Sequence, residues 1–160
     1  MIFKVEDNTS SIQMFESCLE KQQHLLALFD TCRSTEARYE KIIELGRQLP
    51  LFDSKYKLPE YLVHGCQSQM YLRTEAREDK LFFTAVSDAL ISAGLAAILL
   101  IVYSEESAET ILGCPPNYLE KLGLKTSLTP SRSNGLYSIH LRMKQEALRF
   151  LTQASSRIPL

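Results

Sequence analysis

The stretch VHGCQSQMYLR, Val63 to Arg73, sets a cysteine after a glycine and before three polar residues. A thiol at such a junction has two readings. Cys66 is either a small buried hydrophobe, as most free cysteines are, or a nucleophile presented on a loop, reacting as the thiolate. Gly65 lets the backbone bend or approach a partner closely. Gln67, Ser68 and Gln69 are not core residue types, and they mark an exposed or partner-facing loop. His64, if charged, would favour the thiolate, because a nearby cation lowers a cysteine pKa from its free value of ~8.5. Residue types and spacing leave both readings open.

The other chemistry-bearing residues are sparser. A metal site needs three or four ligands in sensible geometry. The pool is His24, His64, His140 and the cysteines Cys18, Cys32, Cys66 and Cys114, of which only His64 and Cys66 lie close together. A cysteine hydrolase needs an oriented base, and His64 or His140 satisfies the residue type alone. There is no C-x-x-C and no glycine-rich phosphate loop. Cys18 falls near a helical apolar stripe and reads as core. Cys32 lies in a polar connection and reads as incidental. Cys114 precedes two prolines, where it could approach Cys66. Arg132 falls in the first turn of a helix, in LTPSRSNGL. A cation opposes the helix dipole there, so Arg132 is a surface residue, a partner for a carboxylate such as Asp88, or a positive group held near a thiolate.

The elements that must position these residues follow from periodicity. Ile12, Phe15, Leu19, Leu26 and Phe29 have helical spacing, with Ser10 or Ser11 as cap. Ser34 caps a second helix from Thr35 to Leu45, with Gly46 as its stop. Pro50 and Pro59 bracket a loop. Met70 to Thr74 and Lys80 to Val86 alternate as strands around the turn EAREDK, which predicts a hairpin. Ser87 and Asp88 are expected to cap an apolar helix, ALISAGLAAILLIVY, whose Ala93, Gly94, Ala96 and Ala97 allow close approach of another element. Ser107 caps a short helix through Leu112, and Asn117 to Leu122 forms another, stopped by Gly123. Thr129-Pro130 opens a last helix, with a stripe of Leu136, Ile139, Met143, Ala147 and Phe150. Helices, a small antiparallel sheet and helices again define an α+β domain with helices packed on one face of the sheet.

Composition bounds the function. The 160 residues fit one domain, 1–160, with enough chain to bury a core unaided. A net charge of -1 supplies no global field for nucleic acid. The apolar helix is short of the ~20 residues a membrane span needs, so neither nucleic acid nor membrane is an expected partner. MIFKVEDNTSS lacks the basic start and apolar run of a signal peptide. A cytoplasmic location is expected, with the cysteines reduced.

Four ordered segments carry a resemblance: YEKIIELGRQLP (Tyr39–Pro50), HGCQSQMYL (His64–Leu72), SDALISAGLAAILLIVYS (Ser87–Ser104) and LTPSRSNGL (Leu128–Leu136). The chain resembles the SufE/CsdE family of sulfur-acceptor proteins, whose domain is IscU-like, over about Tyr39 to Lys144. The resemblance implies a partner of a pyridoxal-phosphate cysteine desulfurase of the SufS/CsdA kind. It implies that one cysteine, here Cys66, takes sulfur from the desulfurase persulfide, stimulates that enzyme, and passes the sulfur to a SufBCD-like iron–sulfur scaffold. Pyridoxal phosphate stays on the partner, so no cofactor is expected here. Gly65 suits a hinge and Leu62 or Val63 a shelter for the thiol. His64, Gly65, Gln67, Asp88 and Arg132 are expected to support the site or dock the partner. The chain departs from the family pattern in its N-terminal segment through Arg38, in His64 and in Cys114. The alternative is a metal or cluster scaffold using Cys66 and Cys114. Dimerisation is left open.

Overall fold

The computed structural model describes residues 14–156. Helix α1 spans Glu16–Phe29 and buries Cys18, Gln22, Leu25 and Phe29 at helical spacing. The expected caps Ser10 and Ser11, and Ile12, lie outside the described residues. Helix α2 spans Thr35–Arg47, and the Ser34 side chain accepts from the Ala37 amide, as expected of a cap. Gly46 does not stop α2. It lies inside the helix, where an added Cβ would meet the Gly94 backbone nitrogen at 2.6 Å. Its smallness serves a helix crossing, and packing overrides its tendency to terminate.

Two 3-10 turns, Ser54–Tyr56 and Pro59–Tyr61, lead toward the hairpin. Strands β1 (Met70–Arg77) and β2 (Lys80–Ser87) pair antiparallel in a two-stranded sheet. The polar residues Glu75 to Arg77 extend β1 rather than turning the chain. Arg77 pairs with Lys80, and the turn is Glu78-Asp79, with Glu78 at φ 56°. Arg73 and Arg77 both pair with Glu75, at 2.8 and 2.9 Å, which lets a charged strand end persist. Met70, Leu72, Leu81, Phe83 and Ala85 are buried. The register puts them on one face, covered by helices, so the α+β arrangement is as expected.

Helix α3, Leu90–Tyr103, is buried continuously from Gly94 to Leu100. Neither Ser87 nor Asp88 caps it. Its N-cap is Ala89, without a side-chain bond, while the Ser87 Oγ accepts from the Ala89 amide at 3.3 Å and Asp88 is exposed. Helix α4 (Ala108–Gly113) is capped by Ser107 as expected. Two single-turn helices follow, α5 (Tyr118–Lys121) and α6 (Leu124–Ser127), divided by Gly123 at φ 73°. Helix α7 runs Pro130–Ser156. It buries Leu136, Ile139, Met143 and Ala147 against a core that starts at Cys18.

Cys18 and Cys114 meet inside this core. The adjacent Cys114 thiol, together with burial, pushes the Cys18 thiol upward, so it stays protonated. Gln22 Nε2 reaches Cys114 Sγ at 3.6 Å and the Pro115 carbonyl at 3.0 Å. Cys32 lies in the connection between α1 and α2, as expected, and is buried there, at 9% exposure. A neighbourhood of apolar helices captures it despite its polar sequence context.

His140 gives the fold a pH dependence. The ring stacks on Tyr103 with centroids 5.0 Å apart, and its Nε2 is buried without a hydrogen-bond partner. Burial first, and Lys144 second, push its pKa down to about 4. An unfolded histidine titrates near ~6.5. A depressed histidine adds stability above that value, and the contribution is lost as pH falls toward the folded pKa. We expect the unfolding free energy to drop by about 2 kcal/mol from this residue between neutral pH and pH ~5. Denaturant titrations at the two pH values check this, and His140→Phe, which keeps a ring against Tyr103, should flatten that part of the slope.

Candidate functional site

The loop bearing Cys66 is closed at its base. The Val63 amide donates to the Met70 carbonyl at 2.8 Å, and Leu62 bridges Tyr71. From α7, Arg142 donates through Nη1 to the Leu62 carbonyl at 3.0 Å and through Nη2 to the Glu60 carbonyl at 2.5 Å. Its Nε donates to Glu146 Oε1 at 3.0 Å. A planar guanidinium can serve all three acceptors together, which an ammonium cannot. Arg142→Ala should cost about 1–2 kcal/mol and speed proteolysis ahead of β1. Arg142→Lys should recover only part of the loss. Thermal melts and timed digestion check both outcomes.

Above that base the chain turns at Gly65, φ 93°. This left-handed conformation strains any side chain, and an added Cβ would also overlap Ser138 Oγ. Gly65 is therefore required both for the turn and for the approach to α7. Cys66 follows, half-buried. Its Sγ points toward the Gly135 carbonyl at 3.8 Å, a weak contact. It borders a cavity of about 190 Å³ lined by Ala89 and Leu95 near and along α3 and by Arg132 and Ile139 of α7. Burial pushes the Cys66 thiol up, so the resting group is a protonated thiol and not a ready thiolate.

The sequence-derived candidates separate here. Gln67 and Arg132 line the cavity with Cys66. The Arg132 guanidinium also lies 5.6 Å from the Tyr39 ring centroid, within cation–π range, so it spans both the cavity and α2. Asp88 and His64 are exposed. His140 is buried against Tyr103 rather than in this cavity, and His24 is exposed. Val63 is buried but, like Leu62, does not line the cavity. The shelter comes from α3 and α7, because the loop folds over onto them. Cys114 does not join Cys66, since it is packed against Cys18 and Gln22. Among the described residues no group of three or more His, Cys, Asp or Glu side chains is arranged to hold a metal ion, and no helix is long and apolar enough to cross a membrane.

Sequence reasoning missed three contributors: Arg142, Ser138 and Ser92. Each is an ordinary surface type on a helix, and nothing local distinguishes it. Only the fold over the loop gives them a task.

A two-stranded hairpin, a glycine-turned loop and a thiol half-sheltered between two helices define a loop-borne thiol protein of α+β class. The chain belongs to the SufE family, described as the Fe-S metabolism associated domain, which matches residues 23–147. The match begins within α1, so part of the N-terminal segment read as unmatched lies inside the family domain. The chain is 35% identical over 138 residues to SufE-like protein 1, chloroplastic/mitochondrial, of Arabidopsis thaliana, covering 86% of this chain and 37% of that protein. It is 34% identical over 113 residues to the uncharacterized SufE-like protein slr1419 of Synechocystis, covering 71% of each. The chain thus spans well under half of the Arabidopsis relative's length. A solution structure of a hypothetical protein from Thermus thermophilus superposes with a TM-score of 0.69 at 25% identity, over 82% of this chain and 96% of that one.

Proposed function

We propose that this protein is a sulfur acceptor and carrier in iron–sulfur metabolism, with Cys66 as the transferring thiol. The observation that carries the reading is the placement of Cys66 on a base-anchored loop, half-sheltered against α3 and α7. Family membership supports the same reading.

The donor is the persulfide of a pyridoxal-phosphate cysteine desulfurase. The Cys66 thiolate attacks the terminal sulfur of that persulfide. The donor S–S bond breaks, a new S–S bond forms on Cys66, and the donor cysteine leaves as a thiolate. No net oxidation occurs, as in thiol–disulfide exchange. The sulfur then passes to an iron–sulfur assembly scaffold, and removing it from the donor stimulates the desulfurase. A persulfide is easily lost to reductants and oxidants, and the cavity is suited to hold it away from both. Arg132, at the cavity wall, is positioned to favour the anionic sulfur. Asp88, exposed before α3, and His64, exposed on the loop, are available to the docking partner. The cytoplasm is the proposed site of action.

Intact mass after incubation with a cysteine desulfurase and cysteine, without reductant, tests the reading. The expected result is a gain of one sulfur mass that peptide mapping places on Cys66. No gain, with a desulfurase shown to be active and to bind this chain, would overturn it.

A further inference from the structure

Between the closed base and the cavity, the Cys66 loop has one strong side-chain attachment. Ser68 Oγ donates to Ser92 Oγ at 2.7 Å. Ser68 is two residues past Cys66, and Ser92 is in the first turn of α3. Ser87 Oγ in turn donates to Ser68 Oγ at 3.4 Å and accepts from the Ala89 amide at 3.3 Å. The hydroxyls join the loop, the end of β2 and the start of α3. Ser68 and Ser92 also line the Cys66 cavity. The other polar contact at the tip, Cys66 Sγ to the Gly135 carbonyl, is long at 3.8 Å.

We infer that the Ser68–Ser92 hydroxyl pair is a latch that holds Cys66 in the cavity and must break for the thiol to be delivered. Base and tip are held by different groups. Arg142 and the Val63–Met70 bond secure the base whether the latch is closed or open. Breaking the hydroxyl bond therefore frees the tip without unravelling β1. Gly65 absorbs the backbone change, since its positive φ lies outside the range of other residues. Ser68 and Ser92 thus act as positioning residues for Cys66. The equilibrium is suited to control because a neutral hydrogen bond is worth only about a fivefold population ratio. A docking protein offering either hydroxyl another partner can reverse it.

The inference rests on Cys66 being the transferring thiol, but its test needs no desulfurase. Iodoacetamide modification of Cys66 is followed by mass with peptide mapping, across a pH series. Arg132 of α7 lines the cavity with the thiol, and the exposed His64 lies two residues before it in the loop. The cavity residues of α3, Ser92 and Leu95, do not titrate. Ser92→Ala is expected to raise the modification rate constant about fivefold. It should also move the midpoint of the pH–rate profile down toward the free-thiol value of ~8.5. Ser68→Ala should do the same. The double variant should be no faster than Ser68→Ala alone, because that substitution already removes the bond to Ser92. Ser92→Thr, which keeps a hydroxyl, should restore the wild-type profile. A wild-type rate and midpoint in both alanine variants, or full additivity in the double variant, would overturn the latch. Either result leaves sulfur loading by a desulfurase as a separate question, since loading is read on Cys66 itself.

Discussion

Cys66→Ser is expected to lower the rate of sulfur loading by a factor on the order of 10³ or more, the scale on which removing a nucleophile acts, and to return the desulfurase to its unstimulated rate. The substitution nearly preserves volume on a half-buried loop, so the fold and docking should survive. What disappears is a group that can ionise and form a stable S–S bond. A serine hydroxyl cannot hold sulfane sulfur. Parallel measurements of desulfurase turnover and of binding separate the two contributions. Lost turnover with intact binding is the expected pattern. Full stimulation by Cys66→Ser would instead show that docking alone activates the partner. The wild-type loading rate should rise with pH, because burial pushes the thiol up and the thiolate becomes populated only as pH increases.

The second large effect concerns the scaffold. At the crossing of α2 and α3, an added Cβ on Gly94 would overlap the Ile42 carbonyl oxygen and lie 2.7 Å from its carbon. Both atoms are backbone and cannot rotate away. In an exposed helix interior, Gly→Ala stabilises by up to ~1 kcal/mol. Here the sign should reverse. Gly94→Ala should force the helices apart and cost about 3 kcal/mol, which lowers the melting temperature by about 6–12 °C for a chain of this size. Calorimetry decides the matter, and a melting temperature for Gly94→Ala at or above wild type would sink the close-crossing account. Because α3 also walls the Cys66 cavity, a smaller displacement there should show as altered thiol reactivity before unfolding.

Much of this was legible in the linear sequence, and the reasons are local. Ser34 and Ser107 cap their helices because a hydroxyl at that position satisfies an amide the helix leaves free. The hairpin follows from alternation, and the burial of α3 follows from its lack of any polar face. The loop cysteine was readable because glycine before it and amides after it are not core types. The expected first strand was too short because Arg73, Glu75 and Arg77, spaced by two along β1, neutralise one another, and because β2 offers each a partner out to the Arg77–Lys80 pair.

Tertiary structure decided the rest, because those outcomes depend on residues far apart in the chain. Gly46 looks like a helix stop until Gly94 arrives against it. Cys114 meets Cys18 rather than Cys66 because the turn after α4 lies against α1, where Gln22 reaches Cys114 Sγ and the Pro115 carbonyl, a pairing that carries no short-range mark. His140 has the residue type of a catalytic base, yet Tyr103 and the core hold it neutral and apart from the thiol. The sequence by itself determined which thiol stands on a loop and which elements surround it. Whether that thiol is sheltered was decided only when α3 and α7 closed over it, since burial is a property of the assembled surface and not of any one segment.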